Sequence, residues 1–311
     1  MATTLNSTGV KYPDNSTRTT ARHERYRNKA IFGYGTTSSA YTNVTNLVNN
    51  IGIVETDTAG VGQIRIGLAA AGYGGDKAIF GYGYTGSTVS LTNLVSNLGV
   101  VGDNVTGVGT TRYELAAAGY GGDKAIFGYG WQAGTRFATT NLVSNTGVVA
   151  TDVAGVGTTR YQLAAAGYGG DKAIFGYGFT TAQVSMTNLV SNTGVVATDV
   201  AGVGTARSAL AAAGYGGDKA IFGYGTTGTV SSLTNLVSNT GVVATDVTGV
   251  GTSRYGLAAA GYGGDKAIFG YGYSTTYVSM TNLISNTGVV AIDVTGVGTA
   301  RQVLAAAGFG S

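Results

Sequence analysis

One acidic residue recurs at the same place in each unit of this sequence: Asp57, Asp152, Asp199, Asp246 and Asp293, with Asn104 in the remaining unit, each ahead of a Gly-x-Gly. A carboxylate there has two uses, capping the backbone amides of the loop or serving as an oxygen ligand for calcium. One acid per unit spreads these groups apart, so capping is the expected role. An arginine recurs as well, at Arg65, Arg112, Arg160, Arg207, Arg254 and Arg301. Six guanidinium groups at one level either hydrogen-bond the scaffold or hold an anion between them, and their repetition favours the scaffold. Lys29, Lys77, Lys124, Lys172, Lys219 and Lys266 follow an acid in every unit but the first, where Asn28 stands, which predicts an ion pair within a turn. These Gly-rich turns lack the Gly-x-x-x-x-Gly-Lys-Ser/Thr run and the helix of a phosphate loop. The single histidine, His23, lies outside the repeats and there is no cysteine, so nucleophile–base pairs, disulfides and thiolate metal sites are not expected. The residues point to a non-enzymatic chain with no metal site and no cofactor.

The lysines open six near-copies of Lys-Ala-Ile-Phe-Gly-Tyr-Gly, so 283 of 311 residues form one unit repeated every 47 or 48 positions. Units of this kind bury their apolar faces against each other and make a single body. With 54 Gly, recurring Tyr, Ile, Val and Phe, and charged residues at 11%, the composition suits strands and rules out helical repeats. In one unit, Tyr161–Tyr168 and Ala173–Gly178 read as strands around a Gly-Gly-Asp-Lys turn, and Thr187–Ser191 and Val195–Val200 as two more around Asn-Thr-Gly. The expected architecture is all-β: a six-bladed β-propeller of four-stranded antiparallel blades over residues 29–311. A β-helix is the alternative. Leu-Ala-Ala-Ala-Gly, small enough to converge on an axis, is assigned to the innermost strand. In the next strand Ala173, Phe175 and Tyr177 are expected on one side and Ile174, Gly176 and Gly178 on the other, each aromatic filling the hollow over a neighbour's glycine. The sequence starts its first unit at the second strand and stops after a first strand, so Leu304–Gly308 is expected to complete the blade of Lys29 and close the ring.

The units differ chiefly between the second and third strands and just after the arginine, as in Tyr113-Glu114, Tyr161-Gln162 and Gln302-Val303. In a meander these two sets emerge on one face. Tyr84, Trp131, Phe137, Phe179, Tyr273 and Tyr277, aromatics on those loops, are the expected contact residues for a carbohydrate or a protein. Eleven of the 20 tyrosines repeat in Gly-Tyr-Gly or Ala-Gly-Tyr-Gly-Gly and are expected to pack the units. The net charge of +3 resides in the segment before the first repeat, and without a basic stripe on the body no nucleic-acid partner is expected. No apolar run reaches a membrane span of about 18 residues, and no secretion signal is read, so membrane insertion is not expected.

Residues 1–28 form a separate arm with strand-like runs at Val10–Tyr12 and Thr17–Thr20 around Pro-Asp-Asn-Ser. Gly9, Tyr12, Pro13, Asp14, Thr17, Thr19, Thr20 and Ala21 resemble a run found in tail-fibre and other virion proteins of tailed bacteriophages, with Asn15 and Arg18 departing from it. The Lys-Ala-Ile-Phe-Gly-Tyr-Gly repeat is similar to repeats in structural proteins of marine phages and cyanophages. In order and spacing the unit also resembles a kelch-type blade, although Val-Val-Ala-Thr-Asp stands where kelch has its tryptophan. The resemblance implies a virion component made in the host cytoplasm, present in multiple copies, and anchored to other virion proteins by the arm through Tyr12, Arg18, Arg22, Arg25 and Arg27. The body would then display its face to a host glycan or receptor. An architectural decoration protein and a free-standing lectin-like module are the competing expectations.

Overall fold

The computed structural model describes residues 29–310 throughout, and before them the backbone of Thr4–Asn6, Gly9–Lys11 and Thr17–Arg18. These three short strands pair antiparallel, Thr4 with Lys11 and Lys11 with Thr17. Tyr12, Arg22, Arg25, Arg27 and His23 lie outside the described residues, and Arg18 is described as strand backbone alone.

Every regular element among the described residues is a strand, and the repeats fold into three-stranded antiparallel sheets compatible with a β-propeller-like repeat fold. In the fourth sheet an inner strand, Ala164–Tyr168, pairs with a middle strand, Lys172–Gly176, and that with an outer strand, Thr187–Val190. The sheet containing Lys29–Gly33 takes its inner strand from Ala305–Phe309, with Ala305 opposite Gly33 and Phe309 opposite Lys29.

The expected fourth strand is not a strand. Its segment keeps two isolated bridges, Val190 to Val196 and Thr187 to Val200. Between them two residues of the outer strand face three of the segment, so the register slips by one and the ladder stops. The Asn188 side chain fills the gap, its Nδ2 donating to the Ala197 carbonyl at 3.0 Å and to Asp199 Oδ1 at 2.9 Å.

Between sheets the contact is an aromatic ring on a glycine. A Cβ on Gly176 would lie 2.6 Å from Cζ of Phe222 in the next sheet, and Gly33, Gly81, Gly128, Gly223 and Gly270 meet Phe80, Phe127, Phe175, Phe269 and Phe32 in the same way. The predicted filling of glycine hollows is therefore present at all six junctions, including that of Gly270 with Phe32. Two pairs of inner strands approach nearly as closely: a Cβ on Gly308 would sit 2.8 Å from the Gly261 carbonyl oxygen, and one on Gly72 2.9 Å from that of Gly308. Only glycine allows this.

The alternation expected for the middle strand fails at its tyrosine. Tyr177 packs with Ile174 against Phe222 and Ala220, while Phe175 and Ala173 face Ile126 and Tyr129 of the preceding sheet. The cause is a left-handed backbone at Tyr177, φ 63°, shared by Tyr34, Tyr82, Tyr129, Tyr224 and Tyr271. That conformation costs roughly 1–2 kcal/mol for a non-glycine residue. A buried hydroxyl bond, Tyr177 Oη to the Val203 carbonyl at 3.1 Å, and an arginine on the ring, Arg207 with Cζ 5.0 Å from the centroid, together contribute about as much.

Candidate functional site

The repeated arginines are structural staples between sheets. Arg160 is fully buried over the Tyr129 ring of the preceding sheet, at 4.3 Å. Its Nε donates to the Tyr177 carbonyl at 2.9 Å and its Nη2 to Asn188 Oδ1 at 2.7 Å, both in its own sheet. None of the six is open to an anion, because all are fully buried.

The repeated aspartates cap loops, but not the Gly-x-Gly that follows them in sequence. Both oxygens of Asp199 accept from the Thr158 amide and one from Thr158 Oγ1 at 2.6 Å, in the loop that leads into the same sheet 41 residues earlier. Burial pushes the Asp199 carboxyl up, yet the bonds from Thr158 and Asn188 and the nearby Arg160 outweigh it and leave its pKa below the ordinary value. The second sheet departs in both partners at once: Asn104 replaces the aspartate and Gln63 the threonine, leaving one bond from the Gln63 amide at 3.2 Å. Among the described residues Arg65 has no carboxylate partner, and its buried Nε has no acceptor.

All six sheets contribute to two cavities at opposite ends of the inner strands. At the trailing ends, 320 Å3 is bounded by the repeated glycines, tyrosines and lysines. Lys77, Lys124, Lys172, Lys219 and Lys266 are each held by the preceding aspartate, at 2.7–2.9 Å, as expected from their spacing. At the leading ends a second cavity, 220 Å3, is bounded by six leucines and by the residues two places after each arginine. Those residues are Gly67, Glu114, Gln162, Ala209, Gly256 and Val303, all left-handed with φ of 50–61°. Each donates its amide to the carbonyl of its counterpart in the preceding sheet: Glu114 to Gly67 at 2.6 Å, Gln162 to Glu114 at 2.9 Å, and so around to Gly67 on Val303 at 3.1 Å.

The variable loops lie beside this second cavity. The residue just after each arginine bridges to the first residue of the loop beyond the middle strand, Tyr113 to Trp131 and Tyr161 to Phe179 among them. Both variable sets therefore meet at one edge. There Tyr41, Tyr84, Tyr113, Trp131, Tyr161 and Phe179 form an unbroken run of half-buried rings, with successive centroids 6.4, 5.3, 5.4, 6.2 and 5.6 Å apart. Trp131 sits on a short hairpin, Trp131–Gln132 with Thr135–Arg136, turned at Ala133 and Gly134. Gln132 Nε2 donates to Thr111 Oγ1 at 2.6 Å, tying the hairpin to the loop entering the sheet. Burial, then Glu114 and the neighbouring tyrosines, push the Tyr113 hydroxyl up to about 12, so it stays protonated.

Of the expected contact residues, Tyr84, Trp131 and Phe179 belong to this run. Tyr273 and Tyr277 form a separate cluster with Tyr255, at 5.3 and 5.6 Å, and Phe137 stands in no ring pair. The interruption falls at Ser208 and Thr226, which replace the aromatic pair in the fifth sheet. Sequence reasoning missed the rings that join the run, Tyr41, Tyr113 and Tyr161; the variation just after the arginine was the signal for the last two. No protein-family model matches the chain, and no curated protein matches it.

Proposed function

We propose that the chain is a non-enzymatic binding module, a six-bladed β-propeller whose individualised face engages a glycan on a host surface. The observation that carries this reading is the run of six rings from Tyr41 to Phe179 across neighbouring sheets. Half-exposed aromatic rings on a rigid scaffold offer apolar faces to the C–H surfaces of sugars and polar edges to their hydroxyls. Closure of the propeller by Ala305–Phe309 is supported by its pairing with Lys29–Gly33 and by the cycle of six amide bonds. The resemblance of the arm to tail-fibre sequences supports a phage virion setting, with residues 1–28 attached to other virion proteins and many copies on the particle; labelling the protein on purified particles tests that setting. On a glycan array, the full chain is expected to bind a defined set of sugars and the double variant Trp131→Ala with Phe179→Ala to lose at least about tenfold, the effect of removing two stacking contacts. Undiminished binding by the double variant would overturn the reading.

An architectural role is favoured by a different feature. At one repeated position of the outer turns the apolar residue is exposed in every sheet, Ile53, Val100, Val148, Val195, Val242 and Val289, at 56–66% exposure. Such a row suits packing against neighbours in an assembly, and a virion-bound protein that binds no glycan would favour this role.

A further inference from the structure

The 220 Å3 cavity beside the aromatic run holds an acid with no counter-charge among the described residues. Its collar is Leu68, Leu115, Leu163, Leu210, Leu257 and Leu304, and among the described residues Glu114 is the only carboxylate on its wall and no lysine or arginine lines it. Among the described residues the Glu114 carboxylate has one partner, Gln162 Nε2, donating to Oε1 at 3.1 Å. Gln302 borders the same cavity, and its Oε1 is buried without a donor. Tyr255 adds an aromatic ring to the wall.

The backbone at this level suggests that the side chains are there for more than packing. Gly67 and Gly256 take the left-handed conformation freely, whereas Glu114, Gln162, Ala209 and Val303 hold it against a cost of roughly 1–2 kcal/mol each. Glycine at all six positions would remove that cost and leave the amide cycle unchanged, so the strained residues are retained for what their side chains do.

We propose that this cavity binds a small organic cation, a primary ammonium group on a short apolar stem, with Glu114 as counter-ion. The chemistry of the wall selects this class. Its one charged group among the described residues is a carboxylate, which accepts and is negative, so the ligand donates and is positive. The leucine collar requires an apolar body. The volume exceeds the roughly 150 Å3 that holds a benzene molecule in a protein cavity, so a ligand of several heavy atoms fits. Burial pushes the Glu114 carboxyl above the ordinary range, and the bond from Gln162 offsets this only in part, so an arriving cation relieves an existing cost. The proposal goes beyond sugar binding and does not depend on it, because Trp131 and Phe179 do not line the cavity.

The test is titration calorimetry of the full chain at about pH 8, where an alkylammonium stays charged, with n-butylammonium chloride and with 1-butanol as its neutral counterpart. The wild type should bind the cation saturably and at least about tenfold tighter than the alcohol, a margin set by a charge-assisted hydrogen bond. Glu114→Gln should abolish that preference. A second variant, Ala209→Leu, leaves the carboxylate in place, narrows the cavity by three carbons from a residue already left-handed, and should weaken both probes while retaining the wild-type melting temperature. No saturable binding of the cation by the wild type would overturn the proposal, as would a preference retained in Glu114→Gln or an undiminished cation affinity in Ala209→Leu.

Discussion

The two cavities at the ends of the inner strands are bounded by the same six sheets but obey different rules. At the lysine end the wall residues repeat with few exceptions, and five of the six Lys Nζ are held by their own aspartates. At the leucine end the collar repeats while the position beside it carries Gly, Glu, Gln, Ala, Gly and Val in turn. Identity among copies is what packing demands, because each junction must meet the same neighbour. Difference among copies has no packing reason, least of all at a strained backbone position. The lysine end is therefore scaffold, and the leucine end, with the aromatic run beside it, is where a ligand would be read.

The most damaging change removes a wall from both cavities. Deleting residues 302–311 takes away Ala305–Phe309 and its ladder to Lys29–Gly33, roughly 4–6 hydrogen bonds at about 1 kcal/mol each. Loss of the cooperative melt, or aggregation through the bared strand, is expected; an unchanged melting curve would sink the closed-ring reading. Next, Phe175→Ala should lower stability by about 3–5 kcal/mol in urea unfolding, since Phe175 fills the space over Gly128, whereas Trp131→Ala should cost less than about 2. Equal costs would erase the distinction between scaffold and face.

Acid should act through the loop caps. The carboxyls of Asp57, Asp152, Asp199, Asp246 and Asp293 have pKa values lowered by folding, so their contribution is present above the unfolded value of about 3.8 and is lost as pH falls through the folded one. The melting temperature is expected to fall below about pH 4, and a flat profile down to about pH 2 would show that the caps do not couple to folding. The smallest effect sharpens the comparison at its one irregular joint: Gln63→Thr with Asn104→Asp restores a cap and gives Arg65 a carboxylate. It should raise stability by about 1 kcal/mol in urea unfolding; no gain would mean that the second sheet is already satisfied by other contacts.

Much of this is legible in the residues. Small Ala-Ala-Ala-Gly segments and Phe facing Gly are local statements of size, and the sheets obey them. The Asp–Lys turns are legible for the same reason, since both partners are adjacent in sequence. What escapes depends on partners far along the chain. Tyr177 leaves the alternation because Arg207 and the Val203 carbonyl hold it in a left-handed state. Asp199 reaches back to Thr158, and Asn188 displaces a backbone ladder. The aromatic run is partly legible: departures from repetition mark Trp131 and Phe179, but their union through Tyr161 needs the spacing between sheets.

The amide cycle around the leucine collar has an electrical consequence. Its six bonds all run in one sense, each amide pointing to the sheet before it. Each peptide carries a dipole of about 3.5 D, and equal dipoles laid head to tail around a circle add to zero. Unlike a helix end, this mouth offers an incoming ion no net pull from the backbone. Its polarity is left to the side chains, and the exchange of one residue, Glu114, is enough to set it.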